Sequence, residues 1–319
     1  MKLFIGLVTY GESSLKYLPE SLLSLQNALK FFSPDDYQVV IFDNSELGDK
    51  RNREFISQHY PKFQINYQEQ NLGFAKAYNI LINQAREKQV EYFFMMNPDI
   101  LLKEDSLELL VNALEKNRGL ATACPKIYHW PFPDKPKEKI IDTCGLVLAS
   151  GLKFSDLGQG RLDDASFDYV QILGPSGAAG IFRLADLVKV AVDKVGKKEY
   201  FDERMFMYKE DCDLAYRLSL LNLKTILVKE AIAWHDRSVS DPGRGFFATL
   251  RDRRNKSKQA RRWSFVNQHL IFIKHYSQEN FVSRFKIIFS ILVMFGFVLV
   301  RERFLLKEYQ NVLFKIRKK

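Results

Sequence analysis

The sequence predicts a doubly wound α/β fold, with a mostly parallel central sheet and helices on both faces. Three observations carry this. Short apolar runs alternate with segments of helical spacing from the first residues to about residue 125, the pattern of repeated βαβ units. The runs are too continuously apolar for a sheet with one wet face, so these strands are buried on both sides. Several runs end abruptly in turn-forming polar residues, most clearly residues 91–100, where Glu-Tyr-Phe-Phe-Met-Met stops at Asn97-Pro98-Asp99. Pro98 cannot extend a ladder, so the strand ends there and presents a carboxylate at the sheet edge.

Taken in order, residues 2–10 read as a buried first strand entering a loop at Gly11. The same stretch lacks the long apolar core and small-residue cleavage site of an export signal. Residues 15–32 repeat Leu18, Leu22, Leu25 and Leu29 at helical spacing, with Pro19 tolerable only near the first turn. Residues 37–42 form a second strand ending in Asp43-Asn44-Ser45, residues 51–60 a short helix, and residues 63–68 a third strand. Asn71-Leu72-Gly73-Phe74 breaks the chain before a helix over 75–88. Residues 91–96 are the strand described above, 107–115 a helix and 120–124 another strand.

Residues 127–173 carry Pro, Gly and Asp clusters without a sustained period, as expected of loops and short antiparallel strands over one end of the sheet. Residues 176–183 are small, then apolar. Residues 205–221 have helical spacing behind an acidic start, and 225–234 form a last strand running into His235. Residues 241–262 are polar and basic, with Pro242-Gly243 at their start, a mobile loop by composition.

Charge is unevenly spread. Residues 241–319 hold 18 Lys and Arg against 5 Asp and Glu, leaving 30 against 33 for the rest of a chain of net charge +10. Such a tail meets a polyanion, either nucleic acid or an anionic membrane face. Residues 287–300 are uncharged between basic flanks, and as a helix would span roughly 21 Å, short of the roughly 30 Å hydrocarbon core. Beyond them Leu305, Tyr309, Val312, Leu313 and Ile316 share one face among Lys and Arg. The tail therefore reads as helices in a membrane interface, with a hairpin packed on the body as the plainer alternative. Cys124, Cys144 and Cys212 have no metal-ligand spacing and cannot all pair, which points to a reducing compartment.

The candidate chemistry lies after strands. Asp43, Asn71, Asp99 and His235 each follow a predicted strand and would collect on one sheet edge. Glu210-Asp211-Cys212-Asp213 opens a helix, where acidic residues are also favoured by the macrodipole. Any one of these has an ordinary structural explanation; the set does not.

Val8-Thr9-Tyr10, Asp43-Asn44-Ser45, Asn71-Leu72-Gly73-Phe74 with Asn79, Asn97-Pro98-Asp99, Gly177-Ala178-Ala179-Gly180 with Arg183, Phe201-Asp202-Glu203, Glu210-Asp211-Cys212-Asp213-Leu214 with Arg217, and Trp234-His235 follow one another along the chain. In this order they resemble the inverting glycosyltransferases of family 2, and among them the rhamnosyltransferase-like members with the GT-A fold. The resemblance covers about residues 1–270.

It implies that Thr9, Tyr10, Asp43, Asn71, Gly73 and Asn97 bind the nucleotide of a dTDP- or UDP-sugar. Asp43 would accept from a pyrimidine N3–H, and Gly73 would let the backbone approach the nucleotide. Asp99 and His235 would hold a divalent cation, Mn²⁺ or Mg²⁺, the imidazole favouring Mn²⁺. Asp211 would be the general base, with Glu210 the alternative, its pKa raised by desolvation or by that neighbour. Gly177, Ala178, Ala179 and Arg217 would line the acceptor or sugar pocket. Asn97 stands where the better-known Asp-x-Asp signature has its first carboxylate, so metal affinity should be weak without nucleotide.

The implied organisation is a catalytic region over 1–240 (nucleotide half 1–125, acceptor half 126–240), a mobile basic loop over 241–262, and basic apolar helices over 263–319. The expected partners are the donor, a lipid-linked or polysaccharide acceptor and an anionic membrane surface, with no nucleic acid. The expected place is the cytoplasmic face of the cell membrane, held peripherally. The competing reading is a non-catalytic nucleotide-binding protein whose basic tail docks on nucleic acid or a membrane, though the tail interleaves charge with long aliphatic runs rather than exposed aromatics. Residues 6–11 do not supply the Gly-x-Gly-x-x-Gly of a dinucleotide fold, and no Walker loop is present.

Overall fold

A computed structural model describes residues 1–135, 139–168, 170–237 and 256–317. The strands are β1 (Leu3–Thr9), β2 (Tyr37–Asp43), β3 (Gln64–Tyr67), β4 (Tyr92–Met96), β5 (Ile100–Leu102), β6 (Leu120–His129), β7 (Ile141–Thr143), β8 (Leu146–Ala149), β9 (Lys153–Asp156), β10 (Ala179–Arg183), β11 (Val192–Lys194), β12 (Lys197–Glu199) and β13 (Lys224–His235). One sheet runs in the order β3, β2, β1, β4, β10, β6, β13, β5, with β7 beside β6. β1 to β4 are mutually parallel. β10 is inserted antiparallel between β4 and β6, and β13 is parallel to β6 and antiparallel to β5.

The sheet has a core on each face. Leu3, Ile5, Leu7, Phe94 and Met96 pack one way against the helices Leu18–Ala28 and Ser106–Lys116. Phe4, Phe93 and Met95 pack the other way against Gly73–Glu87 and Glu210–Leu220. All five residues of β4 are buried, which is why its sequence shows no alternation.

Four expectations change. β6 continues through Pro125 to His129, beyond the end expected at residue 124. Its recorded pairing with β10 stops at Ala123, so the ladder tolerates a residue without an N–H. The acidic helix begins only at Glu210, after Tyr208 and Lys209 adopt φ of 73° and 69°. Of the segment read as a loop over 241–262, residues 241–255 lie outside the described residues, and the end of it is helical. The helix Lys258–His275 starts there, capped by Ser257, whose side chain accepts from Ala260 N–H.

The apolar helix is also longer than read, Phe281–Val300, 20 residues with Asn280 as its cap, and so spans about 30 Å. Its side carrying Ser283, Ile287, Ile291, Met294 and Val298 faces protein, while Phe285, Phe289 and Leu292 are 65%, 60% and 63% exposed. The C-terminal helices share a core with Met205, Cys212 and Tyr216 of the body, so residue 263 marks no break in packing.

Candidate active site

The strand register assembles the site. Thr9 and Asp43 are paired at the ends of β1 and β2. His235 at the end of β13 is paired with Ile100 of β5, which places it beside Asp99.

At the nucleotide end, Asp43 is fully buried. Its Oδ1 accepts from Thr9 Oγ1 at 3.1 Å and Ser45 Oγ at 2.6 Å. Its Oδ2 accepts no hydrogen bond from the described residues and lies 3.5 Å from Arg53 Nε. The Arg53 guanidinium stacks on Tyr67 at 3.3 Å from the ring centroid. A buried, under-used carboxylate oxygen beside a flat cation is suited to an N–H of a planar base. Tyr10 is exposed immediately after β1, and Asn97 donates its backbone N–H to Ala178 O at 2.8 Å.

Asn71 and Gly73, expected at the nucleotide, shape the turn before the helix Gly73–Glu87. Asn71 Oδ1 accepts from Gly73 N at 2.9 Å and from Asn44 Nδ2 at 2.9 Å. Gly73 has φ +76°, and a Cβ there would stand 2.5 Å from the carbonyl oxygen of Phe206. The missing side chain makes room for protein backbone: Phe74 N–H donates to that same carbonyl at 2.8 Å.

Asp99 Oδ1 is buried, accepts no hydrogen bond from the described residues and lies 3.3 Å from His235 Nε2. On the other side of the ring, His235 Nδ1 is 2.8 Å from Asp142 Oδ2. Burial alone would lower the pKa of His235, but Asp99 and Asp142 outweigh it and raise it to about 10. The pocket thus stabilises positive charge between two carboxylates, and a divalent cation beside Asp99 Oδ1 would take the place of the proton on His235 Nε2. Arg237 Nη1 lies 3.7 Å from Asp142 Oδ1 and 2.9 Å from Asp156 Oδ2.

At the acidic helix, Asp211 Oδ2 accepts from Gly177 N at 2.9 Å and Oδ1 from Cys212 N at 2.8 Å. Asp211 is half-buried. Glu210 is buried, and burial together with the neighbouring Asp211 carboxylate pushes its carboxyl well above the usual range. Of the two candidates only Asp211 is accessible.

Three residues expected at the pocket, Arg217, Ala178 and Ala179, make contacts within the protein. Arg217 donates to Asp213 Oδ2 at 2.9 Å, to Val190 O at 2.5 Å and to Tyr200 O, which consumes its fork inside the protein. Ala178 and Ala179 lie in the sheet core, and Ala179 is paired with Met96. Gly177 is at the site: a Cβ there would stand 3.4 Å from Asp211 Oδ2. Sequence reading missed Arg53, Asp142, Asp156 and Arg237.

Residues 4–186, more than half of the chain, match the family model described as Glycosyl transferase family 2. The chain belongs to that family. It is a glycosyltransferase with the GT-A fold. Rhamnosyltransferase WbbL of Escherichia coli (strain K12) is 26% identical over 249 residues, 73% of this chain and 82% of the relative. The crystal structure of S. aureus TarS 1-349 with UDP-GlcNAc matches 98% of this chain and 80% of its own, at 18% identity and a TM-score of 0.58. The chain spans 36% of a longer TarS structure. The structure of GalNAc-T7 with UDP, GalNAc and Mn²⁺ matches 75% of this chain and 44% of its own, at 12% identity and a TM-score of 0.53.

Proposed function

We propose that this glycosyltransferase moves a sugar from a dTDP- or UDP-sugar to a hydroxyl of a lipid-linked or polysaccharide acceptor, by one inverting displacement. The observation that carries the reading is the Asp99 and His235 pair at the same end of the sheet as Asp43, with Asp211 presented from the acidic helix. Asp43 Oδ2 accepts the pyrimidine N3–H, and Thr9 and Ser45 hold that carboxylate in place. Asp99 and His235 would hold a divalent cation, which supplies positive charge to the departing diphosphate. Asp211 takes the proton of the acceptor hydroxyl as its oxygen bonds the anomeric carbon and the carbon–oxygen bond to the diphosphate breaks. Each Asp211 oxygen has a backbone N–H fixing it and lone-pair capacity left for that proton.

Similarity to a rhamnosyltransferase makes dTDP-rhamnose the first donor to test. A panel of dTDP- and UDP-sugars with Mn²⁺ should show one that raises the melting temperature and is consumed in the presence of acceptor. Folded protein that neither binds nor turns over any of the panel overturns the reading.

The place of action is the cytoplasmic membrane face. The outward apolar side of Phe281–Val300 is flanked by Arg284, Lys286, Arg301 and Arg303, as an interface helix on anionic lipid requires. Its inner side is fastened along its length: Ser283 Oγ accepts from Gly151 N at 2.9 Å, and Ile287 and Val298 are buried in a shared core. A helix fastened this way lies in the membrane plane. The protein should sediment with vesicles containing anionic lipid and not with neutral ones. Sedimentation unchanged by Phe285→Asp with Phe289→Asp would refute the surface.

A further inference from the structure

The two residues before the acidic helix are held in an unfavourable conformation. Tyr208 and Lys209 have φ of 73° and 69° without being glycine, a region that L-residues enter only when the surroundings enforce it. The enforcing group comes from the C-terminal helix. Asn267, fully buried on Lys258–His275, donates through Nδ2 to Met207 O at 2.9 Å and Tyr208 O at 2.7 Å. Its Oδ1 accepts no hydrogen bond from the described residues. The opposite amide orientation would press that oxygen against two carbonyls, so chemistry settles the assignment. A side chain kept for its two donors, with its acceptor left idle, is a clamp rather than a packing unit.

The same face of the helix grips the segment at two further points. Trp263, one turn earlier, lies 5.0 Å from the Phe206 ring. Further on, Lys274 Nζ bridges Asp202 Oδ2 at 3.1 Å and Asp213 Oδ2 at 2.8 Å, and His275 Nε2 is 2.8 Å from Asp213 Oδ1. The grips fall before and after Asp211. On the opposite side, Phe206 O is taken by the Phe74 N–H that follows the Gly73 turn.

We infer that Asn267 is a positioning residue for the reaction: through the carbonyls of Met207 and Tyr208 it fixes the turn that aims Asp211, so the C-terminal helix completes the catalytic centre. This rests on Asp211 being the base. The test compares full-length Asn267→Leu, of similar volume without the donors, and Trp263→Leu, at a half-exposed site, with the parent protein. It measures kcat, donor KM, UDP affinity and melting temperature, each with and without Asp211→Asn.

A misplacement on the order of 1 Å costs about a hundredfold in rate. The expected result is therefore a fall in kcat of about that size for Asn267→Leu and a smaller fall for Trp263→Leu, with donor KM and UDP affinity unchanged. No further loss is expected in the Asp211→Asn background, because a residue acting through the base has nothing left to position. An unchanged kcat, an equal extra loss in the Asp211→Asn background, or a joint collapse of kcat, UDP affinity and melting temperature in both variants each overturns the assignment. Full activity of Asp211→Asn alone sinks the base itself, a separate and visible failure.

Discussion

Asp211→Asn is the most informative single perturbation, because the structure sets two magnitudes for it. The first is chemical. The variant keeps the volume and removes the proton acceptor, and loss of a positioned general base lowers kcat by about 10²–10⁴-fold. The second is structural. Both oxygens of Asp211 accept backbone N–H groups, from Gly177 and Cys212. An asparagine offers one acceptor and one donor, so one of those N–H groups faces an NH₂ and loses its partner, at a cost of about 1–3 kcal/mol. Melting should fall by a few degrees, while donor affinity, which rests on Asp43, Asp99 and His235, should hold. The assay is transfer of sugar to acceptor at saturating donor, beside calorimetric titration with UDP and Mn²⁺. Retention of more than a tenth of parental kcat refutes the base assignment, and loss of UDP affinity together with transfer refutes the separation of base from donor site.

Three further outcomes follow from the geometry. Asp142→Asn removes the negative charge behind His235 Nδ1, and Mn²⁺ affinity in the presence of UDP should weaken by about 10–100-fold; an unchanged free-Mn²⁺ signal in a spin-resonance titration refutes Asp142 as the residue that orients the histidine. Glu210 has a raised folded-state pKa, so its contribution to stability is complete below the ordinary glutamate pKa of about 4.3 and declines as pH rises toward the folded value. Glu210→Gln abolishes that decline, and its melting temperature relative to the parent should be higher at pH 8 than at pH 5; an equal difference at both pH values refutes the burial argument. Gly73→Ala combines a positive φ with a contact 2.5 Å from Phe206 O and should cost about 2–5 kcal/mol; an unshifted urea midpoint shows that the turn relaxes freely.

The strand-end logic found Asp43, Asp99 and His235 because each terminates a buried apolar run, and a parallel sheet brings such termini to one edge. Asp142 had no comparable signal. It sits in a three-residue strand within an irregular stretch, and its partner His235 arrives only when β7 and β13 flank β6. Arg217 pairs with Asp213, which precedes it by four residues on a helix, the spacing at which such a pair closes on itself. Gly73 was read as a position that admits no side chain, and the structure places the Phe206 carbonyl against it. A sequence shows that a glycine leaves space, not which backbone fills it. The antiparallel β10 and the late start of the acidic helix depend on tertiary pairing and on Asn267, neither of which leaves a local period.

The β8–β9 hairpin ties the proposed membrane face to the chemistry. Its turn carries Gly151, where φ is +88° and a Cβ would meet Lys286 Cβ at 2.9 Å, so the turn is seated directly on the apolar helix. Its last residue is Asp156, which holds Arg237 two residues beyond His235. Five steps of chain, the last four residues being β9, separate the two contacts, at most roughly 17 Å at about 3.3 Å per step. With the outward face of the helix in lipid, the Arg237 end of the site stands at most roughly that far from the helix. A hydroxyl on the first sugars of a lipid-linked acceptor lies within this reach. Under the proposed membrane placement, this connection would set the height at which an acceptor presents its nucleophile, and would favour a lipid-anchored acceptor over a freely diffusing one.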